Sequence, residues 1–551
     1  MMNIKKYSLN INQIKNFLIE DPILDWLNEY GTQNGFERDG NTKDDFRDFI
    51  SNKTNVFKKN IINKIQLPFV VIDKQIDLRQ RCCITLKNII EGKYVILNPE
   101  FFDNENYTYG NCDIIVRSDK INQIFQNNIF DYKYQNEGCI YHTDFHYVII
   151  NLHCVKLKLL NNFTISNTKK NIFIKTKNIF LNNVLSKIQR YKTETIFIIG
   201  EEYQFKEQIL SNDNCCCSIL HSNETELELK LYNGLKWLKD LHLYGKDWCI
   251  YPPSRKELYP NMCNTNNDYN WHNTKKEIAI KLNEITLLWG CGIKQREQLH
   301  EKGICHWKDK HLNVTELNLN INKTSIIKKM IDVNYLYENN ICIYPRKIKK
   351  KQNLDILHQK EIEFIVDFET INMNQDGKYF EGIFMIGCLA VIKQDKTIFK
   401  QYTLKELNEN DEKYIVNQWL QFMNNIETEY NVKNSKIFHW GKAEQNIYNK
   451  MKDKYCLNTI NFIDLLSVFN TEPVIIKDAF SYGLKDIVKS LHKHNIINEI
   501  WEDDMNGKEA MIKAWQSYNG KDNSIMKNIE KYNYYDCKVI VDILNVLRKM
   551  T

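Results

Sequence analysis

Between Ile362 and Thr370 the chain reads IEFIVDFET, an apolar run that continues directly into two carboxylates two positions apart. Successive side chains on a strand alternate between faces, so Asp367 and Glu369 emerge on the same side. Two carboxylates held that close repel one another unless a cation sits between them. Their hard oxygen donors suit Mg²⁺ or Mn²⁺. D-x-E alone is a common pattern, and the segments that follow give it weight.

EGIFMIGCLAVI reads as a second apolar strand, and SKIFHWGKAEQNIY as a strand ending near His439 and running into a helix with Glu444 in its first turn. IEKYNYYDCKVIVDIL is an amphipathic helix that carries Tyr532 and Asp536 one turn apart on one face. The order D-x-E, then E, then Y-x-x-x-D resembles the DEDD superfamily of 3′-to-5′ exonucleases, in the subtype with tyrosine in its last motif. It is most similar to the YprB-like RNase H domain of predicted RecB-family nucleases, known in giant-virus and microbial chains. The resemblance implies an RNase H-like α/β domain with two divalent ions, one activating water and one stabilising the leaving 3′ oxygen. Asp367 would bridge both ions, Asp536 and Glu369 would bind the nucleophile-side ion, and Tyr532 would orient the attacking water. The second motif of that family usually ends in Asp, where this chain offers Glu444. Asp464, at the end of the apolar run in NFIDLLSVF, is the alternative fourth ligand; otherwise it is a cap or a supporting group.

The first half mixes helical patterns (IKNFLIEDPILDWLNEYG, FRDFISNKTNVFKKNIINKI) with short apolar runs, YVILN, CDIIVRS, YVIINLH and TIFIIG, that read as strands. It resembles the PD-(D/E)XK nuclease half of the same RecB-family proteins, with Asp113 as the first metal-binding acid. The remaining chemistry departs from that family. Asn151 and His153 stand where an acid and a lysine are expected, Lys58 follows Phe57 in place of a glutamate, and Lys177 and Leu181 replace the Gln-x-x-x-Tyr pair. Asparagine carries no charge, so the resemblance implies a pseudonuclease whose lysines suit either phosphate or solvent.

Domain boundaries are expected at 1–235 for the PD-(D/E)XK-like α/β domain, 236–345 for a helical region, 346–356 for a basic linker and 357–551 for the RNase H-like domain. In the helical region, Leu288, Gly290-Cys-Gly292, Leu299 and Gly303 resemble a helix-hairpin-helix, whose turn amides bind phosphate; an ordinary packed helical pair fits the same residues. PRKIKKKQ, with five basic residues after Pro345, reads as a solvated linker or a holder of substrate phosphates.

The bulk numbers exclude several classes. No window of ~18 apolar residues marks a membrane span and the N-terminus lacks a secretory apolar core, so a cytoplasmic or nuclear protein is expected. Sixteen cysteines are scattered, apart from Cys82-Cys83 and Cys215-Cys216-Cys217, with no C-x-x-C pair; reduced thiols are expected. A net charge of +6 over 551 residues does not by itself announce a nucleic-acid binder. The expected activity is a Mg²⁺- or Mn²⁺-dependent 3′-to-5′ exonuclease acting on DNA, with the N-terminal half aiding binding. A ribonuclease using the same carboxylates, or an inactive nucleic-acid-binding or assembly protein, are the alternatives.

Overall fold

Four apolar runs of the first half are rich in β-branched residues and too short for helices, and each forms a strand. The computed structural model describes all residues except 1–7, 40–43, 125–131, 213–217, 222–223, 266, 337–340, 376–377, 503–504 and 521–522; the Cys215-Cys216-Cys217 cluster lies outside the described residues. The chain divides into two units, residues 1–43 with 47–282, and residues 44–46 with 283–551. The helical region expected at 236–345 is therefore shared between units, the division falling after Leu282.

The first unit is built on a seven-stranded mixed sheet. Its strands are β1 (Phe69–Val71), β2 (Val95–Leu97), β3 (Ile114–Arg117), β4 (Tyr147–Leu159), β5 (Thr195–Phe205), β6 (Gln208–Ser211) and β7 (Ser218–His221). They lie in the order β7-β5-β4-β3-β2-β1, with β6 paired to β5. Helices α1 (Asp44–Ile62), α2 (Leu78–Ile90), α3 (Lys169–Gln189) and α4 (Thr225–Tyr244) accompany it. Alternation divides the strand residues between two cores. Ile96, Ile115, Ile149 and Ile198 pack with Phe180 and Val184 of α3 and Leu231 and Leu238 of α4, whereas Val95, Val116, Val148, Ile150 and Phe197 pack with Phe57 and Ile61 of α1. Burial on both faces explains why these strands read as continuous apolar runs. A small three-stranded sheet, Leu9–Asn10, Thr108–Asn111 and Glu100–Asp103, completes the unit.

The second unit begins around the glycine turn. Ahead of Gly290, which takes φ +80°, stands a single 3₁₀ turn, Ile285–Leu287, rather than a full helix. Glu284 caps that turn by accepting from the Thr286 N–H at 3.2 Å, and Ile285 and Leu288 enter the core at once. The helix expected after the turn is present as α5 (Ile293–His300), followed by α6 (Ile321–Ile331). The basic stretch after Pro345 is not a free linker. Ile348 is buried and donates to the Met550 carbonyl, the Lys349 and Lys350 amides donate to Glu472, and the chain turns into α7 (Lys351–Leu357). One carboxylate receiving two consecutive amides and one buried isoleucine anchor the charged run to this unit.

Beyond it come β8 (Ile362–Gln375), β9 (Lys378–Ile392), β10 (Lys396–Thr403), α8 (Glu409–Glu429), β11 (Lys436–His439), α9 (Ala443–Tyr455), β12 (Phe462–Asp464), α10 (Leu484–Lys493), α11 (Gly507–Gly520) and α12 (Asn523–Lys549). The sheet order is β10-β9-β8-β11-β12, antiparallel among the first three and parallel for the last two. Even-numbered β8 residues such as Phe368 pack towards α8, its ring 5.3 Å from that of Trp419. Ile365 instead shares a core with Ile540, Ile543 and Leu544 of α12. The odd-numbered face, which carries Asp367 and Glu369, is thus turned to α12. Among the described residues all thirteen cysteines are free thiols, and no helix is long and apolar enough to cross a membrane.

Candidate active site

Register decides where the carboxylates stand. Asp367 lies opposite Gly387 of β9, and Gly387 lies opposite Gln401 of β10, a row that crosses three strands. A one-residue slip of β8 would turn both acids to the other face, and the buried Phe364, Ile365 and Val366 prevent it. Gly387 has no side chain, and Asn533 of α12 fills the space above it; a Cβ there would overlap the Asn533 side-chain oxygen. Asn533, fully buried, donates to Asp367 Oδ2 at 2.7 Å and accepts from Gln401 Nε2 at 2.7 Å. The amide therefore ties the two ends of the row together and holds the Asp367 carboxylate.

Asp536 follows Asn533 by three positions and so stands on the same face of α12. Its Oδ1 accepts from Trp501 Nε1 at 2.9 Å, and Tyr532, one turn earlier, hydrogen-bonds the same carboxylate through its hydroxyl. One oxygen from each of Asp367, Glu369 and Asp536 lies within 4.8 Å of the others. Burial, and after it mutual repulsion with Asp536 and the other carboxylates, drives the proton affinities of Asp367 and Glu369 upward. Asp536 is raised by burial too, against the opposing pull of Tyr532, Trp501 and Lys485. Burial also raises the Tyr532 hydroxyl, keeping it a proton donor.

Glu444 sits in the first turn of α9, buried, and its charge is felt at all three acids. Its Oε2 lies 2.9 Å from Nδ1 of His439, whose Nε2 is buried without a hydrogen-bond partner. Asp464 is engaged differently. Its Oδ1 accepts the amides of Gly441 at 2.8 Å and Leu466 at 3.0 Å, pinning the turn after β11 to the start of the short Leu466–Thr471 helix. The structure thus gathers Asp367, Glu369, Asp536 and Tyr532, places Glu444 alongside with one oxygen occupied, and spends Asp464 on backbone.

The donor set fits a hard divalent ion: three carboxylate oxygens, no thiolate or imidazole among them, and a repulsion that only a cation or protons can relieve. Sequence patterns did not single out Asn533, Gln401, Gly387, Trp501 or Lys485. Asn533 lies inside the Y-x-x-x-D spacing and would have been accessible to a helical-face argument. Trp501 is 35 positions before Asp536 in irregular chain and left no signal.

A second polar cluster occupies the first unit. Asp113, just before β3, pairs with Lys58 of α1, and its other oxygen accepts the Leu152 amide at 2.8 Å. Asn151 caps the Asp113 amide at 2.8 Å and donates to Asn178 of α3. Burial, reinforced by Lys177, lowers His153, and its Nε2 has no partner. Burial likewise lowers Lys177, which the nearby Asp113 partly offsets. The single carboxylate is already neutralised by an ammonium. Leu181 is in the apolar core.

Residues 364–548, about a third of the chain, match the family model of the RNase H superfamily. The second unit thus contains an RNase H-like domain, which points to nuclease-type chemistry on nucleic acid. No curated protein matches the chain.

Proposed function

We propose that the RNase H-like domain is a 3′-to-5′ exonuclease of the DEDD type that acts on DNA and depends on divalent metal. The observation that carries this reading is the convergence of Asp367, Glu369 and Asp536 on one buried point, with Tyr532 one turn from Asp536. Asp367, Glu369 and Asp536 would hold Mg²⁺ or Mn²⁺, with Glu444 completing a two-ion set and Asp464 as its alternative. Bound there, the ions supply a Lewis acid for the phosphate and lower the pKa of water. The chain's own residues do the positioning. Asn533 fixes the Asp367 carboxylate, Trp501 fixes that of Asp536, and Tyr532 presents a hydroxyl that stays protonated and can orient a water molecule. The choice of DNA and of 3′-to-5′ polarity comes from the resemblance of the motifs, and the first unit is assigned a non-cleaving, strand-holding role because Lys58 occupies the Asp113 carboxylate.

The test is a gel assay with 5′-labelled single-stranded DNA and RNA in Mn²⁺ and in EDTA, comparing wild type, Asp367→Ala and Asn151→Asp. Shortening from the 3′ end that needs metal and disappears in Asp367→Ala is expected. Absence of cleavage by wild type would defeat the enzyme reading, and cleavage that survives Asp367→Ala would move catalysis elsewhere.

A further inference from the structure

A groove in the first unit includes none of the residues of the Asp113 cluster and takes no part in the chemistry above. It is bounded on one side by α4 and on the other by the small sheet with the adjoining Asn10 to Gln13 turn, and it encloses about 1610 Å³. Small-molecule pockets span roughly 300–1,000 Å³, so this volume suits a segment of polymer.

Its lining combines aromatic and basic side chains. Tyr232, Lys236, Lys239 and Leu243 recur along α4 at spacings of four, three and four, and so form one stripe. Tyr232 is 65% exposed and Tyr244, at the helix end, 57%; Tyr107 lines the groove from the turn between two strands of the small sheet at 51%. Three large rings left in water at one groove are an unusual concentration for a surface that has no partner.

Charge narrows the occupant. The acids of the groove are already answered by cations: Glu105 by Lys187, Glu228 by Lys192 at 3.7 Å and Asp240 by Arg255 at 3.3 Å. Lys236 and Lys239 are exposed and form no ion pair among the described residues. Lys187 and Arg255 each serve a second acid as well, Asp103 and Glu257, so what the groove offers is two exposed ammonium groups without an acid of their own, on the same α4 stripe as the Tyr232 ring. A single-stranded nucleic acid offers the matching groups, anionic phosphates and flat bases that are free to stack. A duplex hides its bases and could use only the lysines.

We propose that this groove binds single-stranded nucleic acid, with Tyr232, Tyr244 and Tyr107 stacking bases and Lys236 and Lys239 contacting phosphates. The assignment deepens the nuclease reading by naming where the first unit would hold the strand, and rests on it for the class of ligand.

The experiment uses the full chain carrying Asp367→Asn, so that no substrate is consumed, and fluorescence polarisation with labelled oligodeoxythymidine against a duplex of equal length. Tyr232→Ala should weaken strand binding about tenfold, within the ~1–3 kcal/mol reported for one stacked base, while Tyr232→Phe retains it. Lys236→Gln with Lys239→Gln should flatten the dependence of log affinity on log salt by about 1.4, the value for two single-strand phosphate contacts. Unchanged binding in Tyr232→Ala, or a duplex bound as tightly as the single strand, would overturn the proposal. Self-association lost in Tyr232→Ala, without strand binding, would overturn it in favour of a protein partner. Tyrosine-dependent binding together with wild-type protein that never cleaves would leave the groove standing and remove the exonuclease. Cleavage with tyrosine-independent binding would do the reverse.

Discussion

Replacing Glu369 by glutamine should stabilise the metal-free protein, although it removes a carboxylate from the centre proposed for catalysis. The Asp367, Glu369 and Asp536 oxygens lie within 4.8 Å of one another. At that separation and an effective dielectric of 20, each like-charged pair costs about 3.5 kcal/mol. Burial, and after it the charges of Asp536 and Glu444, raises the Glu369 carboxyl from 4.5 to about 8. A carboxyl raised in the folded state binds more protons there than in the unfolded chain, so stability falls as pH climbs from roughly 4.5 to 8. At pH 7 the loss amounts to about 3.4 kcal/mol. In EDTA at pH 7, Glu369→Gln should therefore exceed wild type by about 3 kcal/mol, and at pH 4 the difference should vanish because both states are protonated. Urea unfolding followed by hydrogen exchange of the Ile362–Gln375 strand reads this unit separately. Saturating Mn²⁺ should reverse the order, because wild type gains binding energy that the variant forgoes. A variant no more stable than wild type at pH 7, or a gain equal at pH 4, would refute the account of a buried carboxylate crowded by its neighbours.

Three further substitutions test the supports of the site. Asn533→Ala frees Asp367 and Gln401 together and should lower metal affinity or cleavage about 10–100-fold with an unchanged circular dichroism spectrum, as expected for a group that orients a ligand; wild-type kinetics would contradict the bridging role. Gly387→Ala drives a methyl into Asn533 and should cost about 1–3 kcal/mol in denaturant unfolding, with stability equal to wild type showing that α12 does not need the gap. Trp501→Phe keeps the ring but removes the donor to Asp536, a hydrogen bond to a charged group worth about 1.5–3 kcal/mol; its metal titration should weaken without a change in secondary structure, and an unaltered titration would dismiss Trp501 as packing.

Local periodicity made the acids of this site visible in the chain. Asp367 and Glu369 share a strand face, and Tyr532 and Asp536 share a helix face, so each pair could be placed by counting residues. Tertiary register was not visible in this way. The row of Asp367, Gly387 and Gln401 depends on how three strands align, and a glycine in the middle of β9 reads as a weak strand position until Asn533 is seen above it. The basic stretch after Pro345 misled for a related reason. Its charges describe a solvated segment, whereas the interactions that anchor it, two amides on Glu472 and one on Met550, belong to the backbone and leave no mark on composition. At the glycine turn, the residues before Gly290 have the composition of a helix, but Glu284 closes them as one capped 3₁₀ turn.

The two acidic centres differ in who neutralises them, and that difference is physical before it is functional. At Asp113 the protein supplies every partner: an ammonium for one oxygen, an amide for the other, and the neutral Asn151 side chain for the backbone amide. Such a carboxylate has no charge left to offer a divalent ion. Removing Lys58 should therefore cost stability instead of unmasking a metal site. With Asp113 nearly buried and Lys58 partly exposed, Lys58→Ala should destabilise the first unit by about 2–3 kcal/mol, below the 3–5 kcal/mol of a fully buried pair. At Asp367 the protein supplies hydrogen bonds that orient carboxylates and leaves their repulsion standing. A metal titration of Lys58→Ala and of wild type, both carrying Asp367→Asn, separates the two cases: new high-affinity Mn²⁺ binding in the lysine variant would mean that Asp113 retains a metal site that Lys58 merely covers, and its absence would place the chain's divalent-ion chemistry in the second unit.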